Sequence, residues 1–308
     1  KQFNQLAQST ADPAAKKAFL QRAVIATLRD DKLAEGQRLS NLYKINYPNE
    51  KEVEAEFLYE TGSYHYRQQN YKSAREIFDN LAGDYQETKF GPWGYYYMAK
   101  ILEVTNTLED AAKRYDDILQ KFPTSDVIPH TLLSLGNMHF NAERYDQAIK
   151  YYQTIIEKPD LALDVLPYAM NNLIQAYETT KLYDAALKIV KDYIAKFPTE
   201  PNIVDKKIKA GLLYTKLGYY DQAIIHFQNL INESGSLLEA ELRYNIGEAY
   251  YGKGEYEQAI LEFLKVPYLV ARQGKINWTA TALYMAGQSY ETMSKFTQAI
   301  EMYQQIID

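Results

Sequence analysis

The 308-residue sequence contains no cysteine. Disulfide staples, thiolate nucleophiles and cysteine-based zinc sites are therefore excluded, while a reducing and an oxidising compartment both stay open. Histidine is scarce, at four residues, and tryptophan scarcer, at two. Basic charge is not in excess, since 34 lysines and arginines stand against 40 aspartates and glutamates for a formal charge of −6. That removes the electrostatic footprint from which most non-specific nucleic-acid affinity comes, so no nucleic-acid partner is expected. No apolar run approaches the roughly 18 to 20 residues that cross a bilayer, and the opening KQFNQLAQSTADPAAKK lacks the hydrophobic centre of a signal peptide. The stretch is expected to be soluble and not to insert into a membrane, with any targeting or anchoring segment outside it.

What is abundant is one phrase, repeated. RYDQAIKYYQTII at Arg144 has close relatives at Asn70, Leu182, Tyr219, Glu255 and Lys295. Its alanine recurs as Ala74, Ala111, Ala148, Ala186, Ala223, Ala259 and Ala299, at intervals of 37, 37, 38, 37, 36 and 40 residues. Twelve residues before each alanine stands Gly62, Ala99, Gly136, Ile174, Gly211, Gly247 or Gly287, small in six of seven cases. Three residues after that slot come His65, Leu102, His139, Tyr177, Tyr214, Tyr250 and Tyr290. Four after the alanine come Phe78, Tyr115, Tyr152, Val190, Phe227, Phe263 and Tyr303. Spacings of three, four and seven place these side chains on one face of each of two helices, so the unit is a helical hairpin. The small residue is expected where two helix backbones cross closely, and the large ring is expected to fill the space between neighbouring hairpins.

Prolines keep the same beat. Pro92, Pro129 and Pro167 fall seven residues before the small slot, where proline suits a first helical turn; Pro48, Pro123 and Pro198 follow the second helix. Asn49 with Glu52 reads as a capping box.

This pattern of small residue, ring, alanine, ring and proline resembles the tetratricopeptide repeat from Glu54 to Asp308, although its period exceeds the family's roughly 34 residues by about three. The resemblance implies an all-α, right-handed superhelical solenoid of antiparallel helix pairs: seven clear repeats over 54–308 and a degenerate helical cap over 1–53, with Val24, Gly36 and Tyr43 in its slots. Repeats of this longer kind are similar to those of bacterial cell-envelope assembly and secretion proteins. That likeness points to a periplasmic or envelope setting, with the cytoplasm as the alternative.

Chemistry is sparse. His65 and His139 fall in the ring slot and are expected in the core, while His130 and His226 have no Asp, Glu or His at ligand spacing on a shared helix face. GKG at Gly252 to Gly254 lacks a third glycine and a preceding strand, and reads as a hairpin turn. NES at Asn232 and NWT at Asn277 match the glycosylation sequon without a context that would give it meaning. No catalytic residue, metal ligand or cofactor is expected, and the chain is not read as an enzyme.

The resemblance also implies that first helices line a concave groove, with outward positions six and three before the small slot and one, four and five after it. Repeat two supplies Tyr59, Tyr66 and Arg67 there, and repeat three supplies Trp93, Tyr96 and Lys100. Repeat four adds Asn137, Phe140 and Asn141; repeat five adds Tyr168, Asn171 and Gln175, with Asn172 beside them. Repeats seven and eight give Tyr244, Glu248 and Tyr251, then Tyr284 and Gln288. Aromatic and amide side chains offer large contact area with polar edges, which suits a protein or peptide partner. A subset of the family clamps a free carboxylate; Asn137, Asn172 and Lys209 match its positions, but Leu133 and Asp205 stand where cations belong, so that specificity is not expected. The linker Pro267 to Trp278 carries Arg272 and Lys275 and reads as a basic contact loop or a spacer. A homo-oligomer or structural spacer acting through the second helices, or the accessory segment of a larger enzyme, is the alternative reading.

Overall fold

The protein is described here by a computed structural model, in which residues 12–269 and 276–307 are described. Arg272 and Lys275 lie outside the described residues. Among the described residues there is no strand, and sixteen α-helices follow one another as hairpins. Contacts divide the chain into two compact units at Leu166/Pro167. The first unit holds α1 (Pro13–Arg29) with α2 (Leu33–Asn46), α3 (Lys51–Arg67) with α4 (Tyr71–Asp84), α5 (Gly91–Val104) with α6 (Leu108–Lys121), and α7 (Ile128–Asn141) with α8 (Tyr145–Ile156). The second holds α9 (Leu166–Thr179) with α10 (Tyr183–Lys196), α11 (Ile203–Lys216) with α12 (Tyr220–Ser234), α13 (Glu239–Lys253) with α14 (Tyr256–Phe263), and α15 (Trp278–Thr292) with α16 (Phe296–Ile307). Each odd-numbered helix is the first of a repeat and each even-numbered helix the second.

The small slot works differently from the sequence expectation. In five repeats the ring four residues beyond the alanine lies on the glycine of its own hairpin, on the spot a side chain would occupy. A Cβ built at Gly136 would sit 2.5 Å from the Tyr152 ring; the distances at Gly62, Gly211, Gly247 and Gly287 to Phe78, Phe227, Phe263 and Tyr303 are 2.8, 2.4, 2.5 and 2.4 Å. The glycine makes room for its hairpin's own ring, not for a backbone crossing. A close backbone approach does occur elsewhere: a Cβ on Gly94 of α5 would meet the Phe78 carbonyl and the Ala82 amide of α4 at 2.8 Å. Phe78, Phe227 and Phe263 are fully buried, each contributing about 1.5–3 kcal/mol of apolar transfer energy.

All eight hairpins turn the same way. The residue five before each alanine, or before Gly36 in the first repeat, has positive φ: Asp31, Gln69, Asn106, Glu143, Lys181, Gly218, Gly254 and Ser294. The next amide donates back to the carbonyl of the ring position, as from Asn70 to His65 (2.8 Å), Arg144 to His139 (2.9 Å) and Tyr219 to Tyr214 (2.9 Å). This six-to-one bond with a left-handed residue before it is the Schellman stop of a helix. The GKG reading holds: Lys253 ends α13 and Gly254 takes the left-handed position. The prolines also fall as expected, with Pro92, Pro129 and Pro167 in first turns and Pro48, Pro123 and Pro198 two residues past α2, α6 and α10. The capping box does not form. Asn49 itself has positive φ, Glu50 is the N-cap of α3 without a side-chain bond, and the Glu52 Oε1 accepts from the Lys89 amide at 3.2 Å.

Within each unit first helices touch the first helices of neighbouring repeats, α1 with α3 and α3 with α5 in one, α11 with α13 and α13 with α15 in the other. Side chains on these faces are thus brought into rows. α1 and α2 form a hairpin like the rest, with Val24, Leu28, Leu39 and Tyr43 buried. It is tied to the second repeat by the exposed Arg29 pairing with the buried Glu60, and by Arg67, which donates to the Leu28 carbonyl at 3.2 Å and to Asp31 at 3.0 Å.

Candidate functional site

The first helices of repeats two to four carry a connected row of rings. Tyr59 of α3 meets Trp93 of α5 edge-on at 5.7 Å and also contacts Phe90 and Tyr97. Trp93 meets Tyr96 at 5.6 Å and His130 of α7 at 4.7 Å. Tyr66 closes the row against Tyr71 and Tyr97, and Tyr97 stacks flat on Phe78 at 4.5 Å. Helical spacing produces this arrangement: the outward position three before the slot holds Tyr59 and Tyr96, and the position six before it holds Trp93 and His130.

Polar groups edge the rings. The indole N–H of Trp93 donates to Asp126 Oδ1 at 3.0 Å, and His130 Nε2 pairs with Asp164 Oδ2 at 2.8 Å. The Tyr96 hydroxyl lies 3.3 Å from that of Ser134. Glu103 accepts from Lys100 at 2.9 Å and from the hydroxyl of buried Tyr115 at 2.8 Å. Burial pushes the phenols of Tyr59, Tyr96 and Tyr115 well above the ordinary tyrosine range and that of Tyr66 up to about 12, so all of them stay neutral hydrogen-bonding groups. The pairing of His130 with Asp164 was not legible in the sequence, because the carboxylate comes from an inter-repeat loop and not from the same helix face.

The remaining expected partner-binding residues divide by environment. Arg67, Asn141 and Gln175 are exposed, and Tyr168 is 63% exposed. Tyr284, 49% exposed, accepts at its hydroxyl from the Gln288 amide at 3.0 Å. Phe140 is half-buried against Tyr145, and Tyr251 against Tyr256. Asn137 Oδ1 accepts from the Tyr152 hydroxyl at 2.8 Å; Asn171 and Asn172 are half-buried, with the Oδ1 of Asn171 unpartnered. Lys209 is paired with Glu178 at 3.1 Å, so the one cation matching the carboxylate clamp already has a partner. Outward exposure fails at Tyr244, which is 9% exposed: its ring packs on Phe263 and Trp278, and its hydroxyl donates to Glu248 at 2.8 Å. Ser63, Ile208 and Glu241, counted as outward by the same rule, are buried too. His65 and His139 are half-buried, and burial lowers both imidazole pKa values; His139 lies on Tyr151 at 5.4 Å and accepts from Arg144 Nε at 3.0 Å. Among the described residues no group of three or more His, Asp or Glu could hold a metal ion, and no helix is long and apolar enough to cross a membrane. The Asn277 side chain caps α15 by accepting from the Ala280 amide at 3.1 Å.

Helix hairpins stacked within each unit, with rings and amides along their first helices, make a scaffold of the protein-interaction repeat class. Two family models described as tetratricopeptide repeat match this chain, one at residues 98–162, 133–201 and 208–268 and the other at 281–308. Together they cover more than half of it, and the chain belongs to the tetratricopeptide repeat family. The hairpins α1/α2 and α3/α4 lie before the matched residues. No curated protein matches the chain. Among solved structures, the C-terminal part of a TPR repeat-containing protein from Cytophaga hutchinsonii aligns with a TM-score of 0.59 at 17% identity, covering 85% of this chain and 99% of that one. The apo form of the quorum sensor NprR from B. thuringiensis aligns with a TM-score of 0.50 at 16% identity, covering 83% and 76%. At these identities the likeness is one of fold.

Proposed function

We propose that the chain is a non-enzymatic scaffold that seats a segment of a protein partner on the ring row of repeats two to four. The observation that carries this is the continuity of the row, in which Tyr59, Trp93, Tyr96 and His130 from three successive first helices touch in turn while remaining partly open to solvent. Large rings with polar edges contribute contact area at small entropic cost and are enriched in binding hot spots. Asp126, Asp164 and the Lys100–Glu103 pair supply the polar rim. The partner fitting such a surface is an internal peptide segment or a folded surface with its own apolar and amide groups, since the cations beside the row, Arg67 and Lys100, are already paired with Asp31 and Glu103. A bacterial envelope assembly is the setting proposed for it, on the resemblance of the long-period repeats.

The test is selection of binding peptides from a displayed library against the native chain, followed by titration of the selected peptides against Trp93→Ala and Tyr284→Ala. Weakening of at least about tenfold by the first, with little change from the second, supports the proposal. Equal binding by both variants overturns it. A second reading, self-association through second helices, has one observation of its own: Ile225 and Leu261, at the same position of repeats six and seven, are 58% and 54% exposed. A native mass that doubles with concentration and returns to the monomer in Ile225→Lys/Leu261→Lys would favour it.

A further inference from the structure

The repeats serve as one another's controls, and repeats two and three break their own rules in one place. Two residues before the repeat alanine, in the first turn of the second helix, five of the other six clear repeats have Glu109, Asp146, Asp184, Asp221 or Glu257, as the positive end of a helix dipole favours. Repeat two has Lys72 instead. One residue after the alanine, repeats four to seven bury Ile149, Leu187, Ile224 and Ile260, whereas repeat two has the exposed Arg75. Three after the alanine, repeat three alone has an arginine, Arg114.

These three departures converge. Lys72, Arg75 and Arg114 line one cavity of about 260 Å³, floored by Met98, Ile101 and Leu102, with no carboxylate in its lining. Among the described residues no salt bridge involves any of the three cations. The N-cap of the helix carrying Lys72 and Arg75, Asn70, makes no side-chain cap bond, which leaves the first amides of α4 to add to the positive field. The cavity adjoins one end of the ring row through Tyr71, which lines it and also meets Tyr66, but the α5 residues that floor it are not the outward ones, Trp93, Tyr96 and Lys100.

We propose that this cavity is a second docking site, for an acidic polypeptide segment that inserts one aliphatic side chain between flanking carboxylates. Three unpaired cations on a chain of net charge −6 call for an anionic occupant. The apolar floor calls for a hydrophobic group on that occupant. The volume falls below the roughly 300–1,000 Å³ of cofactor and drug-sized sites and suits a single side chain. Local rules broken without structural gain mark positions kept for function. The proposal takes from the scaffold reading only that the occupant is a polypeptide, and it does not depend on the ring row.

The experiment titrates the whole chain into a fluorescently labelled acetyl-Glu-Asp-Leu-Glu-Asp amide and follows anisotropy. The variant Lys72→Glu/Arg75→Ile/Arg114→Ile writes into repeats two and three the kinds of residue that other repeats carry, so it is expected to fold with unchanged or higher Tm. It should bind the peptide at least about tenfold more weakly, and replacing the peptide's leucine by serine should weaken binding to the native chain about fivefold. Trp93→Ala should leave this titration unchanged, which separates the cavity from the ring row. Equal binding by the triple variant, equal binding of the serine peptide, or displacement of the peptide by equimolar inorganic phosphate or anionic-lipid vesicles would overturn the proposal.

Discussion

Gly136 of repeat four and Ile174 of repeat five occupy the same slot, yet both are buried and both hairpins close. The difference is made up on the second helix. Opposite the glycine stands Tyr152, whose ring lies where a Cβ would be; the corresponding residue of repeat five is Val190, with Tyr193 buried three residues further on. The first repeat makes the same exchange, with Val24, Ser40 and Tyr43 in those places. Bulk thus moves between the two helices of a hairpin, and the identity of neither slot is fixed, as an interior packed to crystal-like density allows only when the facing positions change together.

The comparison breaks most sharply in a double-mutant cycle. Tyr152→Val should cost about 3 kcal/mol as a large-to-small core change. Gly136→Ile should cost about 1–3 kcal/mol or more, because its Cβ alone would fall 2.5 Å from the Tyr152 ring. Gly136→Ile/Tyr152→Val copies repeat five and should cost less than the sum of the singles by about 1–3 kcal/mol in urea unfolding. Strict additivity would show that the two slots do not share one volume.

A second contrast is between the ring row of repeats two to four and the more exposed rings Tyr168 and Tyr284. Trp93→Ala and Tyr96→Ala each remove a ring that contacts several others, and each should cost about 2–3 kcal/mol in addition to any effect on binding. Tyr168→Ala, at a mostly exposed position, should stay within about 0.5 kcal/mol of the parent, and Tyr284→Ala, half exposed beside Tyr303, within about 1 kcal/mol. Urea midpoints of the four variants check this.

The turns offer a smaller contrast. Glu143 and Gly218 hold the same left-handed position, at φ of 58° and 76°. A glutamate there carries a conformational cost of about 1 kcal/mol that glycine does not. Glu143→Gly should therefore be neutral or stabilising by up to about 1 kcal/mol, and Gly218→Glu destabilising by about 1 kcal/mol. Calorimetric Tm values check the assignment: Gly218→Glu should fall below the parent and Glu143→Gly should not.

These contrasts also show what could be read from the sequence. The hairpin, its period and its prolines were legible because each rests on spacing within one helix pair. The left-handed turn was not, since six of its eight positions carry Asp, Gln, Asn, Glu, Lys or Ser in place of glycine. Tyr59 and Tyr96 could be placed on the outward face of their first helices from their position, but the contacts that join the rings into a row were not legible, and the same rule failed for Tyr244. Its exposure depends on Trp278 of the next repeat, across an inter-repeat linker that period alone does not describe. Likewise the His130–Asp164 pair joins a helix to a loop 34 residues on, beyond the reach of any helical spacing.

The smallest expected effect is one of pH and uses the ring position itself. Repeats two and four have His65 and His139 where repeats five to eight have tyrosines. Burial lowers the pKa of both imidazoles below the ordinary value of 6.5, and the Nδ1 of His139 must be unprotonated to accept from Arg144. A base whose folded pKa lies below its unfolded pKa binds fewer protons when folded. Its contribution to stability is thus fully present above about pH 6.5 and is lost as pH falls through that value towards the folded pKa. A phenol, unlike an imidazole, has an ordinary pKa of about 10, far above that range. Replacing both histidines by tyrosine, as those repeats have it, should flatten the decline in Tm between pH 7 and pH 5 while leaving the carboxylate-driven loss at lower pH in place. An unchanged slope between pH 7 and pH 5 would mean that the imidazoles take up protons in the folded chain as easily as in the unfolded one.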